Sequence, residues 1–412
     1  MANRYKTIDL FAGCGGLMDG FMQEGSYNTL ACVEWEPFPC ETLSNRLEKK
    51  WHHKNAKEEV VRFDIQRTEE LINGFNDPNY GEHKGLKKLV GDKKVDIIIG
   101  GPPCQAYSLA GRIRDPHGMK GDYRNYLFES YIRILKYFKP ALFIFENVMG
   151  MLSASPDGTP IVDRIREAFN EAGYSVIDDF KKAVFDVAEF GIPQHRKRVI
   201  ILGVRKDLFS KGSECLIDDF YNVIMPKLRE SSKKRTVRDA IGDLPVILPC
   251  KDVIKLNGRK YSHAPIDSKD VMNHIPRFHS ERDQKIFQML GEDIESGRNE
   301  YVSIESLKAL YTKMTGKKSN IHKYYVLRWN EPSNTIPAHL YKDGMRHIHP
   351  DPRQARSITV REAARLQTFA DDFEFIGPMM AQYKMIGNAV PSDFAKTIAK
   401  GIHILLNKQK YG

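Results

Sequence analysis

The sequence predicts an α/β protein: a doubly wound, largely parallel sheet flanked by helices, followed by a smaller and less regular domain. Three observations lead there. Short apolar runs with almost no polar interruption recur along the first half, as strands buried on both faces require. Helical patterns lie between them, the alternation that builds a doubly wound sheet. After about residue 205 this rhythm fails, and the chain turns polar, basic and irregular. With 412 residues, the chain has the length of two or three domains.

The first run, TIDLF (7–11), leads into the glycines Gly13, Gly15 and Gly16. TLACVEW (29–35), VDIIIGG (95–101), ALFIFENV (141–148) and VIILGV (199–204) are the further strand candidates. Between them, Leu127, Tyr131, Ile134, Leu135 and Phe138 share one helical face that stops at Pro140. Ile161, Ile165, Ala168, Phe169 and Ala172 share another, closed by Gly173. The irregular stretch, 206–350, carries the basic patches RESSKKRTVRD (229–239) and RHIHPDPRQAR (346–356). Regular patterning returns at TVREAARLQTF (359–369), where Thr359 and Glu362 have capping-box spacing. In FAKTIAKGIHILL (394–406), Phe394, Ile398, Ile402 and Leu405 fall on one face. So apolar a helix must dock, and the first domain is the expected place.

Composition excludes several classes. A hydrophobic fraction of 41% with 28% charged residues is that of a soluble globular protein. No apolar run approaches the roughly 18 residues of a membrane helix. Asp9 interrupts the only N-terminal segment that a secretory signal could use, so the chain reads as cytoplasmic. Six scattered cysteines without a C-x-x-C pair make neither a disulfide framework nor a zinc site. His347 and His349 are not read as metal ligands, and no metal is expected. The net charge of +10 permits a polyanionic partner.

Six segments carry chemistry. In DLFAGCGGL (9–17), glycines directly after a strand let the backbone turn tightly against a ligand. A dinucleotide fingerprint fails there, because Met18 stands where its last glycine belongs, and the chain has no phosphate-binding loop. Glu34 ends the second strand, at the usual place for a carboxylate that accepts from ribose hydroxyls. Trp35 offers a face to an adenine, and Asp64 in RFDIQ could accept from an adenine amino group. A nucleoside site without a phosphate cradle points to S-adenosylmethionine; the alternative is a structural glycine turn with a surface carboxylate. GGPPCQAYS (100–108) mounts Cys104 behind two prolines, each fixing φ and removing a donor. That thiol is either a buried filler or a nucleophile at a ligand-binding sheet edge. Glu146 ends the FENV strand (145–148). In PQHRKRVI (193–200), Gln194, Arg196 and Arg198 alternate, as one strand face for phosphate or carboxylate contacts or as a solvated edge.

In order along the chain, DLFAGCGGL, VEW, FDI, GPPCQAYS, NYLF, FENV, QHRKR, REAARLQTF and QYKMIGNAVP resemble the DNA (cytosine-5) methyltransferases. The resemblance implies a Rossmann-like S-adenosylmethionine-dependent domain over 1–205, completed by the C-terminal helix in 380–412, and a target-recognition domain over 206–379. It implies S-adenosylmethionine held by Phe11, Gly13, Gly15, Gly16, Glu34, Trp35, Asp64, Ile65, Pro102, Leu127, Asn388 and Val390, with S-adenosylhomocysteine as product. Cys104 is then the nucleophile that adds to carbon 6 of a flipped-out cytosine. Glu146 contacts ring nitrogen 3 and the amino group, Arg198 the carbonyl oxygen, and Arg196 supports them. Gln105, Ser108, Gln194 and Arg328 become DNA contacts, and Gln105 to about Arg124 a loop closing over the base. Tyr324, Tyr325, Trp329 and the basic run Lys233, Lys234 and Arg235 join Arg328 as groove candidates.

The expected partner is double-stranded DNA, acted on by a monomer of the bacterial restriction-modification type, with a cognate endonuclease as functional partner. The alternative substrate is tRNA, methylated at the same carbon. Two departures from the family pattern stand out. The loop 109–123 is longer than in the shortest members, and Tyr107 stands where phenylalanine is common.

Overall fold

The computed structural model describes residues 4–103, 127–155, 158–256, 258–266, 271–319, 324–342 and 344–410. They divide into two compact units. One comprises 1–191, 196–233 and 389–412, and the other 192–195 and 234–388.

The first unit begins with β1 (Tyr5–Leu10), α1 (Gly16–Glu24), β2 (Tyr27–Glu34), α2 (Pro37–Lys49) and β3 (Val60–Arg62). A small hairpin follows, β4 (Phe75–Asp77) and β5 (Gly81–His83), then β6 (Ile97–Gly100), α3 (Leu127–Phe138) and β7 (Leu142–Val148). Next come α4 (Ile161–Glu171), β8 (Tyr174–Ser175), β9 (Val184–Asp186) and β10 (Lys197–Arg205). In the sheet the order is β3-β2-β1-β6-β7-β10-β8, with β9 also on β10. The pairings among β3, β2, β1, β6 and β7 are all parallel. Ile97–Ile99 and Leu142–Phe145 are fully buried, which is why these strands read as unbroken apolar runs.

The five strand candidates all lie in this sheet, but β10 runs antiparallel to β7. A strand buried on both faces looks the same read in either direction, so apolarity could not reveal this. Tyr131 ties α3 to the sheet by donating to the carbonyls of Ile98 (3.2 Å) and Ile144 (3.0 Å).

Residues 206–233 fall in the first unit. Leu216, Phe220, Tyr221, Ile224 and Met225 are buried. The Tyr221 hydroxyl donates to the Ile200 carbonyl and accepts from the Leu202 amide, both at 2.8 Å. Along β10, pairing with β9 ends at Val199 and pairing with β8 starts at Val204, so this hydroxyl serves the bare edge between them.

The second unit contains β11 (Ile247–Leu256), β12 (Arg259–Pro265), α5 (Glu281–Glu295), α6 (Ile304–Thr315), α7 (Val360–Leu366) and α8 (Met379–Asn388). Its apolar core joins Ile286, Phe287, Leu290, Leu307, Leu310, Tyr324, Val326 and Ile348. Beside it lies a buried polar cluster. Arg356 forks onto Glu362 with two bonds of 2.7 Å. The expected capping box starts α7: Thr359 donates its amide to Glu362 Oε2 at 2.7 Å, and the Glu362 amide returns a bond to the Thr359 hydroxyl.

The chain then re-enters the first unit as α9 (Ser392–Lys410). Phe394, Ile398, Ile402 and Leu405 are fully buried, each stabilising by about 2 kcal/mol through removal from water. The helix sits on α1 at Gly20, where a Cβ would lie 2.4 Å from the Ser392 carbonyl oxygen. The Tyr27 hydroxyl also donates to the Ala399 carbonyl at 2.6 Å. No described helix is long and apolar enough to cross a membrane.

Candidate active site

Five adjacent parallel strands deliver their C-terminal ends to one edge of the sheet, where ligands of doubly wound sheets bind. After β1 the chain turns sharply, with positive φ at Phe11 (58°), Gly13 (55°) and Gly15 (94°). For Phe11, this left-handed conformation is strained, the kind of cost that clusters at ligand sites. Gly16 is required for space: a Cβ there would stand 2.4 Å from the Val390 carbonyl oxygen. Val390 therefore lies directly over the glycine turn.

Glu34, at the end of β2, binds that turn. Its Oε2 accepts from the Gly13 amide at 2.9 Å, and its Oε1 from Trp35 (2.8 Å) and Glu36 (2.9 Å). Burial raises the carboxyl pKa above its ordinary value, opposed by these three amides. A carboxylate offers about four lone-pair sites, so three bonds leave Oε2 with capacity for a ligand hydroxyl. Trp35 is 51% exposed, presenting an aromatic face just beyond the end of β2. After β3, Asp64 is half-buried and Ile65 buried, and Asp64 Oδ1 accepts from the Gln66 amide at 3.0 Å. Pro102 and Leu127 are buried as well. Asn388 is exposed at the last turn of α8, in the second unit.

The antiparallel direction of β10 brings its first residues to this same edge. Arg198 pairs with Val148 in the ladder, and its Nε lies 2.8 Å from Glu146 Oε1, with both side chains only 13% exposed. Burial lowers the Arg198 pKa, while the Glu146 charge holds it up. Arg196 is buried beside them; burial and the like charge of Arg198 push its pKa down, and Glu146 opposes both. Two guanidiniums beside one carboxylate form a desolvated cluster able to bind a polar, planar group edge-on.

Some expected site residues lie elsewhere. Gln194 was expected to share an exposed face with Arg196 and Arg198, but it belongs to the second unit and is fully buried. Its amide donates to Gln367 Oε1 (3.0 Å) and the Leu366 carbonyl (3.3 Å) and accepts from the Ile336 amide (2.9 Å). These bonds occupy the groups a DNA contact would need. Arg328 is half-exposed, 4.0 Å from Glu331. Cys104, Gln105 and Ser108, with the loop to Arg124, lie outside the described residues.

Two features escaped the sequence reading. Asp19 on α1 is fully buried and accepts from Arg46 Nε (2.7 Å) and Trp51 Nε1 (3.0 Å). It braces α1, which starts in the glycine turn, against α2. An acid among Met18, Phe21 and Met22 on the buried side of a helix was the available signal. The second feature is Gly101, where a Cβ would stand 2.5 Å from Glu146 Oε2. Burial pushes the thiols of Cys14, inside the glycine turn, and of Cys32 and Cys40 upward, so they are inert fillers. No group of three metal-ligating side chains occurs among the described residues.

The sequence profile described as C-5 cytosine-specific DNA methylase matches residues 5–403. Type II methyltransferase M.Bpa9945I of Bacillus paralicheniformis is 35% identical, covering 97% of this chain and 99% of its own. Type II methyltransferase M1.HphI of Haemophilus parahaemolyticus is 32% identical, covering 96% and 86%. Among solved structures, a prophage-encoded Escherichia coli protein described as a DNA modification methyltransferase shares the fold with a TM-score of 0.64. It is 24% identical and covers 98% of this chain and 99% of its own. With an S. pombe Dnmt2 methyltransferase the TM-score is 0.55 at 15% identity, over 99% and 100% of the two chains. A profile match over nearly the whole chain, together with these relatives and the sheet edge that gathers the glycine turn, Glu34 and the Glu146–Arg198 pair, makes the chain a member of the C-5 cytosine-specific DNA methylase family, a DNA (cytosine-5-)-methyltransferase.

Proposed function

We propose that this enzyme methylates carbon 5 of a cytosine flipped out of a specific duplex DNA sequence, through a covalent Cys104 adduct, and so protects DNA from a cognate restriction endonuclease. The observation that carries the reading is the Glu146–Arg198 pair, 2.8 Å apart and largely desolvated, next to the strand end from which GGPP leads into Cys104.

Phe11 to Gly16, Glu34, Trp35, Asp64, Ile65, Pro102, Leu127 and Val390, all in the first unit, are the residues that would hold S-adenosylmethionine. Glu34 Oε2 accepts from a ribose hydroxyl, and Trp35 supplies a stacking face. Bound there, the cofactor supplies an electrophilic methyl group. Carbon 5 of cytosine is a weak nucleophile. The Cys104 thiolate forms a bond to carbon 6, which makes carbon 5 electron-rich. Glu146 and Arg198 hold the pyrimidine edge and stabilise charge developing on it. As carbon 5 takes the methyl group, the methyl–sulfonium bond would break and S-adenosylhomocysteine would be left. The carbon 5 proton then passes to a solvent base, its electrons re-form the 5,6 double bond, and the Cys104 thiolate is expelled as aromaticity returns. A stacked base is out of reach of Cys104, so flipping costs a few kcal/mol before chemistry starts. In the second unit, the half-exposed Arg328, Tyr325 and Trp329 are the candidates for groove contacts. Tyr324, expected beside them, is buried in the apolar core and is not one.

The test is a single-base map of 5-methylcytosine in plasmid DNA recovered from cells expressing the enzyme. Full modification of one short sequence is expected. Clean DNA from cells that contain folded, cofactor-binding enzyme would overturn the DNA reading in favour of RNA.

A further inference from the structure

Gly101 has no positive φ, so backbone conformation does not explain why glycine stands there. The explanation lies in the sheet. β6 and β7 are parallel neighbours, and Gly100 pairs with Phe145. One position further, Gly101 therefore lies beside Glu146, about 4.8 Å away across the ladder. Neighbours at one register of a parallel pair point their side chains to the same face. Glu146 uses the space that this geometry would give to a side chain at 101. A Cβ on Gly101 would meet Glu146 Oε2 at 2.5 Å, whereas the Glu146 backbone oxygen and Cβ lie at ordinary contact distances of 3.5 and 3.6 Å. Among the described residues, the collision is with the carboxylate alone. Gly100 differs: its Cβ would strike the Leu10 carbonyl oxygen at 2.3 Å, so it serves sheet packing.

We infer that Gly101 is a positioning residue for Glu146: its missing side chain is the notch that lets the carboxylate lie against β6 and reach Arg198. This rests on the role proposed above for Glu146. Any larger residue displaces the carboxylate, the movable partner, and leaves the strand in place. The fold survives and the base-binding geometry does not. The second glycine of GGPPC thereby belongs to the recognition of the cytosine edge as well as to the mount of the thiol.

The test is a double-mutant cycle with Gly101→Ala and Glu146→Gln, assayed on plasmid DNA from cells lacking the enzyme. Glu146→Gln alone tests the underlying reading and is expected to lower kcat about 10²-fold, the scale of losing one group that stabilises developing charge. A normal rate for Glu146→Gln overturns that reading and, with it, a positioning role for Gly101. Gly101→Ala is expected to lower kcat to a similar degree, with S-adenosylmethionine affinity within about twofold of wild type. The double variant should be no slower than Glu146→Gln, because both changes remove one interaction. A normal rate for Gly101→Ala, or losses that multiply in the double variant, overturns the inference. If Gly101→Ala fails to fold, Gly101→Ala/Glu146→Ala decides: folding restored by removing the carboxylate supports the collision, and continued failure refutes it.

Discussion

Arg198 reaches Glu146, at 2.8 Å, because β10 runs antiparallel to β7 and starts where β7 ends. A parallel β10 would carry its first residues to the opposite edge. The strand direction thus builds the charged cluster, and the guanidinium divides its donors, with Nε toward Glu146 and Nη1 to the Lys197 carbonyl at 2.8 Å. Arg198→Lys keeps the charge but loses the planar fork. It is expected to lower kcat at least tenfold with little change in S-adenosylmethionine affinity, as steady-state kinetics will show. Wild-type kcat in the lysine variant would mean that charge alone suffices.

Cys104→Ala should abolish methyl transfer while cofactor binding persists, because the thiol acts after binding. Isothermal titration with S-adenosylhomocysteine and a methylation assay separate the two. Transfer at a near-normal rate would refute the covalent route.

Glu34→Gln removes the negative acceptor of three backbone amides and its remaining capacity for a ribose hydroxyl. Charge-assisted bonds of this kind contribute about 1.5–3 kcal/mol each. Cofactor affinity should therefore fall at least tenfold, and unchanged binding would contradict the assignment.

Asp19→Ala strands Arg46 in the interior without its carboxylate. Breaking a buried pair by deleting one partner costs about 3–5 kcal/mol. The loss should appear as a lower urea midpoint, together with weaker cofactor binding because α1 carries the glycine turn.

Acid should destabilise the protein through the second unit. Burial, first of all, depresses His347 and His349 to about 3; Arg346 and Arg356 respectively add to it, opposed by the Thr335 carbonyl and by Glu362. Unfolded histidine titrates near 6.5, so between about pH 3 and 6.5 the unfolded chain binds more protons. Stability then rises with pH across that window and levels off above it. At pH 5 each of these two histidines should cost about 2 kcal/mol relative to neutral pH. Equal denaturation midpoints at pH 7.5 and pH 5 would refute this.

Locally coded features were legible in the sequence. The five strands declared themselves as apolar runs, and the Thr359–Glu362 box formed because its bonds lie within one turn. Features that depend on distant neighbours were not. The alternation of Gln194, Arg196 and Arg198 suggested one face, yet the chain passes from the second unit to the first between His195 and Arg196. Residues 206–233 looked irregular because their scattered apolar side chains match no single period, although Tyr221 completes the edge of β10. What Gly101 does emerges only once β7 is laid beside it.

The placement of Val390 on Gly16 and of α9 on α1 ties the first glycine turn to the last helix. During synthesis, α1 emerges early but must wait nearly the whole length of the chain for the surface that covers it. Such distant closure is slow and leaves apolar surface open meanwhile. A chain cut short before residue 389 would lack both Val390 over Gly16 and the helix that covers α1.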